Sequence, residues 1–110
     1  MNKAEDILST SLATLQDRAK LRDNTAGERS MEACVLAFNA LTGNELTTLD
    51  GWKFMLCLKM SRSRHGKFHL DDYVDMVGYA ALAGEEATRE AGFTDTFKEA
   101  YITGLMSGIG

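Results

Sequence analysis

The sequence predicts an all-α fold, a four- to five-helix bundle around a central apolar helix at about residues 47–63. Three observations carry that expectation. No period-two run of β-branched residues occurs, so strand signals are absent. Apolar residues recur instead at three- and four-residue steps. The 110 residues also include no proline, so helices can run unbroken and turns fall to Gly, Asn, Asp and Ser.

The first helix is expected from about Lys3 to Leu21, with Ile7, Leu8, Leu12, Leu15 and Ala19 on one stripe and a polar remainder facing outward. Asp23-Asn24-Thr25-Ala26-Gly27 breaks it. The second runs from about Glu28 to Leu41 on Met31, Cys34, Val35, Phe38 and Leu41, and Gly43-Asn44 stops it. A capping box, Thr47 with Asp50, opens the third. Trp52, Phe54, Met55, Leu56, Cys57, Leu58 and Met60 make that helix apolar on nearly every side, which marks it as central. A basic, glycine-containing stretch follows. The fourth helix is expected over Leu70 to about Ala91, with Val74, Val77, Ala81 and Leu82 inward and small residues such as Gly78 and Gly84 allowing close approach. A fifth, over Asp95 to about Met106, carries Phe97, Tyr101 and Leu105, and the last four residues are expected to fray.

With 45% hydrophobic and 25% charged residues, the chain reads as one globular domain over 1–110. Its formal net charge of −4 argues against a general nucleic-acid binder. No apolar run approaches the roughly 18 residues a membrane span needs. The polar start of the chain carries no signal core, so a cytoplasmic protein is expected. Cys34 and Cys57 lie in apolar stretches and are expected as buried, reduced thiols.

No phosphate loop, nucleophile elbow or zinc spacing is present. What remains is paired acids. Glu28 and Glu32 share one face of the second helix, and Asp72 and Asp75 share one face of the fourth. If those helices pack side by side, the four carboxylates could hold Mg²⁺, a hard cation that takes oxygen ligands and bridges to phosphates. Lys59, Arg62, Arg64 and Lys67, with Tyr79, would then hold a nucleotide. Glu32, Asp75 and Lys59 would be the catalytic groups. A bland account stands beside this one. Acidic pairs on helices are commonly solvated faces, and acids at a helix start or bases at its end suit the dipole. A Lys59–Asp75 ion pair would satisfy two charges on otherwise apolar faces with no catalytic role. The aromatic and Met stripe, including Trp52 and Phe38, reads as core.

Gly27-Glu28-Arg29-Ser30-Met31, Phe38-Asn39-Ala40-Leu41-Thr42-Gly43, Gly51-Trp52-Lys53-Phe54-Met55 and Leu58-Lys59 with Arg62 resemble a family of small phage and prophage proteins. So does Asp71-Asp72-Tyr73-Val74-Asp75 leading into Gly78-Tyr79-Ala80-Ala81-Leu82-Ala83-Gly84-Glu85. That family is known only as a domain of unknown function. The resemblance covers a core of roughly residues 20–91, leaving a C-terminal helix and tail at 93–110. It implies phage origin, hence a host-cell cytoplasm, and a helical fold. A second likeness is to the all-α nucleoside-triphosphate pyrophosphohydrolases of the MazG and dimeric dUTPase group. Their EExxE and ExxD motifs hold Mg²⁺, and here Glu28 with Glu32 would stand for part of the first motif and Asp72 with Asp75 for the second. Asp72 stands where that group has Glu, and the doubled Glu is missing. Two functions follow as expectations: a Mg²⁺-dependent nucleotide binder or pyrophosphohydrolase, and a non-enzymatic phage accessory protein that binds a host protein or sequesters a nucleotide signal. The apolar third helix also asks for more cover than a monomer supplies, so a homodimer is expected.

Overall fold

A computed structural model of the chain describes residues 3–22 and 30–92. These form four helices: α1 (Ala4–Arg22), α2 (Ser30–Thr42), α3 (Thr48–Ser63) and α4 (Leu70–Glu90). No strand occurs among the described residues. The expected fifth helix, with Phe97, Tyr101 and Leu105, lies outside them. The helices make a small bundle in which α3 packs most extensively on α4, α1 lies against α4, and α2 lies against α3. The apolar α3 is central as expected and shares that place with α4.

The starts and stops follow local chemistry. Thr47 Oγ1 accepts from the Asp50 N–H at 3.1 Å, and Asp50 Oδ2 accepts from the Thr47 N–H at 2.9 Å. That is the reciprocal capping box the sequence announces. At the other end of α2, Gly43 takes φ +76, a left-handed turn that L side chains resist. Asn39 then splints the connector: its Nδ2 donates to the Leu46 carbonyl at 2.8 Å and its Oδ1 accepts from the Leu46 N–H at 3.0 Å.

Two glycines set the helix spacings. At Gly51 a Cβ would sit 2.8 Å from Val35 Cγ2 and would also run into Met31 Sδ, so α2 rests on the bare backbone of α3 there. At Gly78 a Cβ would meet Ser11 Oγ at 3.3 Å and Leu15 at 3.8 Å, so α1 uses the same device on α4.

Several expected apolar stripes are rotated. On α1 the buried residue is Ser11, with Ile7, Leu15 and Ala19 half-buried, while Leu8 and Leu12 face out. The seat at Gly78 explains this, because only a small side chain fits there. On α2 only Val35 is buried, and Cys34, Phe38 and Leu41 are exposed, since α2 touches the bundle along one narrow line over Gly51. On α3, Trp52 is buried, whereas Phe54, Cys57 and Met60 are exposed. On α4, Val74, Tyr79 and Ala83 are buried and Ala81 is exposed, because α4 is gripped between α1 and α3. Both cysteines are unpaired and exposed, against the expectation of buried thiols. The core is Trp52, Tyr79 and Ala83, with Met31, Leu49, Met55, Leu56 and Leu82 packed against them.

Candidate ligand cleft and its charged neighbours

Where α1, α2, α3 and α4 meet, a cleft of about 450 Å³ opens, lined by Arg18, Ser30, Met31, Cys34, Trp52, Met55 and Tyr79. Its wall is aromatic: the Trp52 and Tyr79 rings stack at 5.9 Å between centroids and 27° between planes. An offset pair of this kind is favourable beyond its buried area. Trp52 comes from the second turn of α3, fixed by the capping box, and Tyr79 from the middle of α4, so both rings stand on regular helix. Met31 and Met55 add adaptable apolar surface. Arg18 supplies the guanidinium. The ion pairs among the described residues all lie on α3 and α4, and Arg18 has no share in them.

Beside this cleft the expected Lys59–Asp75 pair is present, at 2.8 Å, with Asp72 at 3.9 Å from the same ammonium. The three side chains are largely shielded, at 14%, 18% and 12% exposure. Asp72 and Asp75 are three apart on α4 and so share the face that meets α3. Two carboxylates therefore face one ammonium. Asp75 also borders a smaller recess with Arg18 and Tyr79, closed by Ser11, Gly78 and other residues of α1 and α4.

Of the described members of the expected metal set, Asp72 and Asp75 share Lys59, and Glu32 stands apart from them. Glu32 borders a shallow recess with Glu85, Glu86 and Arg89, near the C-terminal end of α4. Glu86 is 11 residues beyond Asp75, which is about 16 Å along the helix. Glu28 lies outside the described residues. Among the described residues, no group of three or more His, Cys, Asp or Glu is placed to hold a metal ion. Arg89 is itself engaged, pairing with Glu86 and, at 3.4 Å, with Glu85. Of the expected nucleotide-holding residues, Tyr79 lines the large cleft and Lys59 serves the carboxylates. Arg62, Arg64 and Lys67 are exposed at the end of α3 and in the connector after it, and border none of the three recesses described.

Sequence reasoning missed Arg18, Ser30, Met31, Cys34, Trp52 and Met55 as cleft residues. Trp52, read as core, is both core and wall. Arg18 had a signal: it lies seven residues beyond Ser11, two turns along the same face of α1. Only knowing that Ser11 faces inward makes that spacing informative.

Fold and site together define a small all-α bundle domain with a ligand-sized cleft among its described residues. The chain belongs to the family described as Domain of unknown function (DUF6378), whose profile matches residues 6–87, from the first turn of α1 to the last of α4. Comparison with curated proteins and with solved structures gave no match. No described helix is long and apolar enough to cross a membrane.

Proposed function

We propose that this domain binds a nucleoside phosphate in the cleft between its four helices. One observation carries the reading: a cleft of about 450 Å³ with a stacked aromatic wall, two methionines and a guanidinium in no ion pair among the described residues. Its size falls within the ~300–1,000 Å³ typical of small-molecule sites. A base is a flat π-face that stacks well on Trp and Tyr. A phosphate is the group for which Arg offers a planar, bidentate fork. The ligand lies with its base toward Trp52 and Tyr79 and its phosphate toward Arg18. Mg²⁺ enters this reading as the phosphate's own counter-ion, and Asp75 borders a recess that also includes the cleft residues Tyr79 and Arg18. Hydrolysis is the further step, as expected of a pyrophosphohydrolase-like protein, with Asp75 and Lys59 as the groups to replace first and Glu32, which borders a separate recess, after them. A cytoplasmic setting, where nucleoside phosphates abound, belongs to the same reading.

Thermal shift against nucleoside mono-, di- and triphosphates, each with and without Mg²⁺, tests the proposal. A ligand at about 100 times its Kd adds ~3 kcal/mol, a rise of many degrees in a domain this small. Arg18→Ala, on an exposed position, is expected to remove most of that rise while leaving the unliganded Tm within a degree or two. A flat response across the whole series sinks the reading. Pyrophosphate release, followed on the ligand that shifts most, separates a hydrolase from a sequestering protein. The accessory-protein reading, with phage origin, has its own supporting observation in the uncovered apolar surface of α2.

A further inference from the structure

Arg18 and Tyr79 line the large cleft and also border the smaller recess beside it, so the two spaces adjoin at that pair of residues. The recess measures about 10 Å³, room for one water-sized group such as a hydroxyl. Its wall, otherwise apolar, carries polar atoms with bonding capacity to spare. Ser11 is 2% exposed, lines the recess, and makes no side-chain hydrogen bond with another described residue. Among the described residues no fully sealed side-chain N or O lacks a partner. The Ser11 hydroxyl therefore keeps an opening, and the recess is the space it lines. Asp75 gives Oδ2 to Lys59 at 2.8 Å, and its Oδ1 has no hydrogen-bond partner among the described residues. Arg18 borders the same recess and forms no ion pair with Asp75. Gly78 keeps the space clear, since a Cβ there would come within 3.3 Å of Ser11 Oγ.

We propose that this recess receives a sugar hydroxyl of the bound nucleotide, so that the cleft favours ribose over a sugar stripped of its hydroxyls. The inference rests on the nucleoside-phosphate reading of the cleft and adds the ligand's class, a ribonucleotide. In a nucleotide the sugar stands between base and phosphate. With the base on Trp52 and Tyr79 and the phosphate at Arg18, the sugar lies over the boundary between Tyr79 and Arg18. That boundary is where the recess adjoins the cleft. A hydroxyl is also the group whose chemistry matches the lining. Its O–H donates to Asp75 Oδ1, and its oxygen accepts from the Ser11 hydroxyl or the Arg18 guanidinium. Lys59 holds the carboxylate by its other oxygen, which fixes the acceptor's orientation. A phosphate is too large for the space and meets the Asp75 charge. A bare methylene fits but leaves Ser11 and Asp75 without a partner in a place shielded from water, which is the costly case. A few placed polar groups in a mostly apolar site are what set a ligand's orientation and its selectivity.

Isothermal titration calorimetry of the full chain in Mg²⁺ is the test, with the common ribonucleoside triphosphates and their 2′,3′-dideoxy counterparts as probes. For the base that binds best, the dideoxy form is expected to bind at least ~10-fold more weakly, the loss of a hydrogen bond to a charged group. Ser11→Ala removes one oxygen from the recess and is expected to narrow that ratio. Asp75→Asn is expected to narrow it further. The readout is a ratio within one protein, so a variant that binds both forms less well does not imitate the result. Asp75→Asn leaves Lys59 with Asp72 alone; should it fail to fold, the wild type and Ser11→Ala give the answer. Equal affinity for the two forms in the wild type overturns the inference and leaves the nucleotide reading standing. A ratio unchanged in every variant that folds also overturns it, because the sugar is then selected elsewhere. No binding of any triphosphate of either kind removes the inference together with the reading beneath it.

Discussion

Lys59 stands between two carboxylates in a place where water reaches each of the three groups only at its edge. Removing one member of a shielded group strands the others, which typically costs about 3–5 kcal/mol when the pair is fully buried. With the residual exposure here, Lys59→Met is expected to lower stability by about 2–3 kcal/mol in urea unfolding. A loss below ~0.5 kcal/mol would show that water already does the lysine's work. The pairing itself is legible in the amino-acid sequence, because a lysine on an apolar face needs an acid, and Asp75 is the acid most deeply set in its helix. Asp72 as second partner is not legible there. It sits where an acid also suits the helix dipole, and sequence alone gives both explanations equal standing. Arg18 is hidden for a different reason: α1 presents a serine, not a leucine, to its neighbour, so the apolar pattern points to the wrong face.

At the scale of elements, two helix contacts depend on missing side chains. Gly51→Ala would push a methyl into Val35 and Met31, and overpacking of that kind costs about 1–3 kcal/mol. Gly84, in α4 with open space where its Cβ would be, makes the contrast. Gly84→Ala is expected to raise stability by about 0.5–1 kcal/mol through helix propensity alone. Chemical denaturation of the two variants checks both signs, and a neutral Gly51→Ala would mean that α2 is not seated on that backbone. For the four described helices, existence and bounds are readable to within about two residues, because caps, glycines and the absence of proline act locally. Which face turns inward is readable on α3 at Trp52 but not on α1 or α2. Those faces are chosen by the partner helix, and a notch made of glycine leaves no apolar mark in the sequence.

At the scale of the whole molecule, cover is uneven. The buried apolar residues among those described are Val35, Trp52, Val74, Tyr79 and Ala83, and all but Val35 belong to the α3–α4 pair. Hydrogen exchange is therefore expected to rank the helices: slowest in the middle of α3 and α4, faster in α1, and fastest of the four in α2, by one or more orders of magnitude. Protection of α2 equal to that of α3, at a concentration where the chain is monomeric, would contradict this ordering. The all-α class is plain from the sequence because it rests on periodicity over the whole chain. The site is legible only in part. The Lys59–Asp75 ion pair is read from its own chemistry, and Tyr79 falls in the cleft lining. The cleft belongs to an arrangement of four helices that no single stretch encodes, and among the described carboxylates Glu32 stands apart from Asp72 and Asp75 because it borders a recess at the C-terminal end of α4.

Trp52 is the chain's only tryptophan, and it forms the cleft wall while stacked on Tyr79. The molecule therefore carries one indole emitter at the place of greatest interest. Excited at the red edge, where the three tyrosines do not absorb, its fluorescence comes from that indole alone, so quenching or a spectral shift on titration reads occupancy of that wall without any label. Red-shifted emission on denaturation reads loss of the α3–α4 contact, and the two signals need no deconvolution from other sites.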